Sequence, residues 1–110
     1  MKYLITESQI DNVIFKYLDN QDFIKFERND SIYFLNSEED EYAQIRYDKY
    51  GELCYINHNL INEISTFFSL GVSDSANVIG RWVEGTLQMK VTKIALDVGT
   101  WYSTLRVPYK

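Results

Sequence analysis

One histidine, one cysteine and one proline are all that this 110-residue chain has of three chemically decisive residue types. Cys54 stands alone, so no disulfide can close within the chain, which fits a reducing compartment. His58 has no second histidine to join it in holding a metal. Pro108 lies near the end, which leaves every earlier element free of the ring that breaks helices and ladders. The five glycines form no phosphate loop, because Gly80 and Gly85 lack a preceding strand and a following Lys-Ser/Thr pair. No Gly-x-Ser-x-Gly and no His-Glu-x-x-His stretch occurs. No apolar run approaches the roughly 20 residues of a membrane span. The opening Met1–Glu7 acquires charge too soon for a signal peptide. These absences point to a single cytoplasmic domain over residues 1–110, not an enzyme, with no cofactor, no metal site and no membrane partner.

What the chain has in excess is aromatic: nine tyrosines, six phenylalanines and two tryptophans, within 45% hydrophobic residues. That is enough to bury a core without cross-links. Charge is unevenly spread. Residues 1–57 carry twelve acidic and six basic side chains, and residues 58–110 carry four and five. Nucleic-acid binding needs cations to displace counterions, so the acidic first half is a poor candidate for it and the near-neutral second half leaves room for a small basic patch.

Periodicity orders the elements. Ile10, Val13, Ile14, Tyr17 and Leu18 make one helical stripe over Glu7 to about Asn20. Thr6 and Gln9 stand at capping-box spacing, and Ile5 and Ile10 at staple spacing. Phe23–Arg28, the turn Asn29-Asp30 and Ser31–Leu35 read as a hairpin. Tyr42–Tyr47 and Leu53–Ile56 follow as strands around the turn Asp48–Gly51. Asn57 or Asn59 caps a helix whose apolar positions are Leu60, Ile61, Ile64, Phe67 and Phe68, with Gly71 placed to end it. Ser73 caps the next helix, whose face is Val78, Ile79, Trp82 and Val83. Gly80 is a weak point inside it, and Gly85 closes it. Met89–Ile94 and Trp101–Val107 read as a final pair of strands. The expected fold is α+β, in the order α-β-β-β-β-α-α-β-β. Its sheet is mostly antiparallel, a four-stranded meander plus a C-terminal hairpin, with at least two helices on one face.

Candidate chemistry is sparse. Cys54 and His58 are four apart across a strand-to-helix junction, a poor arrangement for a nucleophile and base; Cys54 reads more simply as a small apolar strand residue. Glu38-Glu39-Asp40-Glu41 lacks the alternation and glycine of a calcium loop and reads as a solvated turn. The aromatics carry the strongest lead. Alternation sets Ile24, Phe26, Ile32, Phe34, Ala43 and Ile45 on one sheet face. The opposite face then holds Lys25, Tyr33, Leu35, Tyr42, Gln44, Arg46 and Tyr55. Tyrosine with arginine is the composition of interface hot spots, so Tyr33, Leu35, Tyr42, Arg46 and Tyr55 are candidate partner-binding residues. The competing reading is that the C-terminal hairpin or a second subunit covers this face. In the tail, Lys90, Lys93, Trp101, Tyr102 and Arg106 combine charge with stacking surface, the ingredients of a single-stranded nucleic-acid binder.

The segment Met1–Gln9 resembles the start of many short uncharacterised proteins from phages and marine metagenomes. Ile79–Glu84 followed by Leu87–Thr92 is similar to the same group. The resemblance covers the first helix and the last helix–strand unit and carries no function onto any residue. It implies a phage-type accessory or particle protein. The expected function is therefore a small acidic protein-interaction module that binds and modulates a protein partner. The alternatives are a self-associating component of a particle and a nucleic-acid binder using the C-terminal half.

Overall fold

In the computed structural model, which describes residues 7–97 and 104–108, eight elements follow one another. They are α1 (Glu7–Asp19), β1 (Ile24–Arg28), β2 (Ser31–Leu35), β3 (Ile45–Asp48), β4 (Leu53–Asn57), α2 (His58–Phe67), α3 (Val72–Leu87) and β5 (Lys93–Asp97). The fold is α+β, as its pattern predicts. The five strands lie in the order β1-β2-β3-β4-β5. The first four form an antiparallel meander. β5 then pairs with β4 in parallel, with α2 and α3 as the crossover between them, the connection that parallel neighbours require.

The turns follow from residue type. Asn29 and Asp30 both take positive φ (51° and 64°), the conformation of a two-residue hairpin loop and one that Asn and Asp adopt at small cost. At the β3–β4 turn the positive φ falls on Glu52 (52°), while Asp48 Oδ1 accepts the Tyr50 N–H at 3.0 Å.

One face of the sheet carries all three helices. Ile14 and Leu18 of α1, Leu60, Ile61 and Ile64 of α2, and Val78, Ile79, Trp82 and Val83 of α3 close over Ile32, Phe34, Ile45, Tyr47, Cys54 and Ile56. Each fully buried side chain of this size contributes about 1.5–3 kcal/mol. Trp82 sits at the centre, with its ring centroid 5.5 Å from Phe34 and 5.8 Å from Phe23. Buried Asn57 joins strand to helix: its Oδ1 accepts Asn59 N–H at 2.9 Å as the α2 cap, and its Nδ2 donates to Ala43 O at 3.2 Å.

Several details depart from the sequence reading. Val13 is 56% exposed, because α1 lies at the margin of the layer and turns only part of its stripe inward. Gly71 does not end α2. The helix ends at Phe67, Ser69 takes positive φ (54°), and Gly71 is the residue before α3. The cap expected at Ser73 is pre-empted because Gly71 O already accepts Ser75 N–H at 3.0 Å, which closes the first turn. α3 runs past Gly85 and stops where Gln88 turns left-handed (φ 56°). The strand expected at Met89–Ile94 lies further on, as β5. The return expected over Trp101–Val107 falls largely outside the described residues. Within them, Arg106 bridges antiparallel to Tyr42. The expected Thr6 cap and Ile5 staple also lie outside the described residues.

Gly80 is a point of close approach. A Cβ placed there would lie 2.5 Å from Ile94 Cδ1, so the bare backbone lets β5 pack directly under α3.

Candidate functional site

The sheet face away from the helices holds a tyrosine–arginine row. Tyr33 pairs with Arg46 across β2–β3, and Arg46 with Tyr55 across β3–β4. Residues directly opposite in a ladder share a face, so the three stand in line. The Arg46 guanidinium lies over both rings, 5.4 Å from the Tyr33 centroid and 5.6 Å from that of Tyr55. Alternation had placed these side chains together, and the structure brings them together.

It does not leave all of them exposed. Tyr33 and Leu35 are buried under Leu105 and Val107, which form a second cluster with Ala43. The C-terminal segment is tied across this face by Ala43 N–H to Leu105 O at 2.8 Å and Val107 N–H to Glu41 O at 2.9 Å. Arg46 donates from Nε to Ser31 Oγ at 3.1 Å and from Nη1 to Thr104 O at 2.9 Å. Tyr42, Arg46 and Tyr55 are half-buried. Of the two readings of this face, cover by the chain's own C-terminal segment accounts for Tyr33 and Leu35. The expected partition of residues between faces is also corrected. Ile24 lies opposite Leu35 and Phe26 opposite Tyr33, so Ile24 and Phe26 share the tyrosine face, as does Ala43. The signal was in the sequence: a two-residue loop at Asn29-Asp30 fixes the register and hence the cross-strand partners.

Exposed apolar surface lies instead on the helical layer, where the sequence stripes had placed buried residues. Phe67 is 68% exposed. Its ring lies 5.3 Å from that of Tyr17 and 5.3 Å from that of Phe68. Val13 stands one helical turn before Tyr17 on the same side of α1. A cleft of about 170 Å³ between α1 and α3 continues the surface, lined by Ile10, Leu70 and Val78 with Asp11 and Arg81 at its polar rim. Arg81 and Asp11 form a bidentate pair at 2.8 and 3.0 Å. The Tyr17 hydroxyl donates to Glu63 at 2.7 Å. Burial and the Glu63 carboxylate together push this phenol up to about 12. The pattern that reveals the patch is the adjacent pair Phe67-Phe68: two consecutive rings on a helix cannot both face the same core.

Cys54 is fully buried in the helix-side core, and burial pushes its thiol up to about 12, so it is held as a neutral apolar side chain. His58 is exposed at the start of α2 with its ring against Asn62. In the acidic loop, Asp40 Oδ2 accepts the N–H groups of Asn36 and Ser37 at 2.8 and 3.1 Å, which makes it a turn-forming side chain. Among the described residues, no three acidic, histidine or cysteine side chains gather as a cation site. No helix among them is long and apolar enough to cross a membrane. Of the basic candidates, Lys90 and Lys93 are exposed near one end of β5. Arg106 is joined to Tyr42 near the other end, 3.9 Å from Glu41. Trp101 and Tyr102 lie outside the described residues.

Compared with protein families, with curated proteins and with solved structures, the chain matches none.

Proposed function

We propose that this chain is a small non-enzymatic protein-interaction module, a phage-type accessory protein of the cytoplasm, and that it engages its partner through the α1–α2 surface. The observation that carries this reading is the exposed ring of Phe67 on Tyr17, with Val13 beside it. Contiguous apolar surface of this kind has a solvation cost that a partner relieves, and aromatic residues dominate such contacts. Beside these rings the Glu63 carboxylate accepts the Tyr17 hydroxyl, so the complementary partner presents an apolar anchor with a basic flank. The sheet-face candidates Tyr33 and Leu35 take no part in this reading. Tyr42, Arg46 and Tyr55 serve to hold the C-terminal segment. The phage-type assignment rests on the resemblance of Met1–Gln9 and Ile79–Thr92. The buried Cys54 thiol supports the non-enzymatic reading, and the acidic neighbour of Arg106, Glu41, weighs against a nucleic-acid groove.

The test is comparative capture with three baits: the natural chain, Phe67→Ser and Val13→Ser. Both substitutions remove exposed groups and leave the fold intact. A partner retained by the natural chain and lost from both variants is the expected result. A partner held equally by all three removes the α1–α2 surface from consideration.

A further inference from the structure

The two edges of the sheet are chemically unlike. β1 presents Lys25, Glu27 and Arg28, with Lys25 and Glu27 exposed, the charges that keep edge strands from pairing with other chains. β5 reads Lys-Ile-Ala-Leu-Asp. Its centre is apolar, and Leu96 is 49% exposed. Among the described residues no strand lies outside it. By Thr104 the chain has returned to the Asp97 end, where Thr104 N–H and Oγ1–H both donate to Asp97 Oδ2 at 3.0 and 2.6 Å. From there it runs to Tyr42 on the other face, away from the β5 edge.

The direction of the β5 backbone groups is fixed by two contacts. Asn57 N–H points to β3, where it meets Gln44 O at 2.8 Å. By alternation, the backbone groups of Glu52, Cys54 and Ile56 point to β5. Lys93 N–H meets Glu52 O at 3.4 Å, so Lys93 and Ala95 are the β5 residues that bond inward. Ile94 and Leu96 therefore turn their N–H and C=O groups outward.

We propose that this edge pairs with β5 of a second copy, antiparallel about a two-fold axis through Ala95, joining the two sheets into one. A two-fold contact must be self-complementary, and this strand is. With Ala95 opposite itself, Lys93 lies opposite Asp97 of the second copy, and Ile94 lies opposite Leu96. Opposite charges meet at both ends and apolar side chains meet between them. The outward groups of Ile94 meet those of Leu96 as a hydrogen-bonded pair, once on each side of the axis. Leu96, exposed on the helix side of the sheet, gains Ile94 of the second copy as a neighbour. On the β1 edge, by contrast, the exposed side chains are charged and Glu27 is already engaged by Lys49 within the chain. The contact is independent of the α1–α2 surface and adds self-association to partner binding.

The experiment combines solution mass with cross-linking on the full chain. Light scattering across a wide dilution series is expected to show a dimer that dissociates on dilution. Leu96→Pro removes an outward N–H and no bond within the sheet, so it should stay folded and remain monomeric throughout. Lys93→Glu sets like charges opposite each other and should weaken the dimer roughly tenfold or more. Ala95→Cys tests the register. Non-hydrogen-bonded antiparallel neighbours have Cα atoms about 4.5 Å apart, within disulfide reach, so mild oxidation should give a cross-linked dimer. Glu27→Cys on the β1 edge serves as the control, and buried Cys54 gives little background. A natural chain that stays monomeric overturns the proposal. So does a dimer that survives Leu96→Pro, or Ala95→Cys cross-linking no faster than Glu27→Cys. Phe67→Ser should leave the dimer unchanged; a dimer lost in Phe67→Ser but kept in Leu96→Pro places self-association on the helices and also overturns it.

Discussion

Trp82 Nε1 donates to Asp19 Oδ1 at 2.9 Å, which fastens the middle of α3 to the last residue of α1. The indole body is buried against Phe23 and Phe34 while its N–H reaches a carboxylate at the surface. The two parts of the side chain can be separated by substitution. Trp82→Phe keeps most of the packing and loses the hydrogen bond, and should cost about 0.5–1.5 kcal/mol. Trp82→Ala also opens a cavity and should cost about 3–5 kcal/mol. Urea denaturation of both variants checks the order. Equal losses would mean that the hydrogen bond contributes nothing.

Gly80 and Ile94 should be coupled. Alanine in a helix is favoured over glycine by about 1 kcal/mol. In this chain the added methyl meets Ile94 Cδ1 at 2.5 Å, and the side chain must move. Ile94→Val deletes that atom and leaves Cγ1, at 3.2 Å, as the nearest contact. Gly80→Ala should therefore stabilise the Ile94→Val protein by up to about 1 kcal/mol and stabilise the natural protein less, or destabilise it. A double-mutant cycle with no interaction energy would show that α3 and β5 adjust freely.

The tyrosine face now has a definite expectation. Tyr33 is buried, so Tyr33→Ser should cost about 2–4 kcal/mol through lost packing. Tyr50 is 87% exposed, and Tyr50→Ser should be close to neutral. Arg46→Met keeps the apolar stem between the rings but loses the bonds to Ser31 and Thr104. It should cost about 1–2 kcal/mol, and amide exchange at Leu105 and Val107 should quicken more than in the β3–β4 ladder.

Alkaline pH should weaken the fold, and Cys54 and Tyr17 are the groups shifted most. Burial raises the Cys54 thiol from 9.0 to about 12, and burial with Glu63 raises the Tyr17 phenol from 10.0 to about 12. A raised value in the folded state means that the unfolded chain loses its proton first. Stability is therefore complete below pH 9 and declines as pH rises through about 12. Chemical denaturation between pH 8 and 12 should show the decline, reduced in Cys54→Ala and in Tyr17→Phe. In the natural chain at pH 8, Cys54 should resist thiol reagents until urea unfolds it.

The order of elements was legible in the chain because it depends on periods of two and 3.6 and on local turn chemistry. Ile14 and Leu18, Leu60 to Ile64, and Val78 to Val83 declare their helices, and Asn29-Asp30 declares its hairpin. The row Tyr33, Arg46, Tyr55 was equally legible, since alternation decides which residues share a face. What covers a face is a long-range matter that no local period contains. Only the tertiary structure set Leu105 and Val107 over Tyr33 and Leu35, which turned an expected binding surface into a second core. Only it laid β5 parallel to β4, because a crossover of two helices can return a strand in either direction. And only it left Phe67 in solvent, because how much of a helix's stripe is covered depends on the packing of every other element.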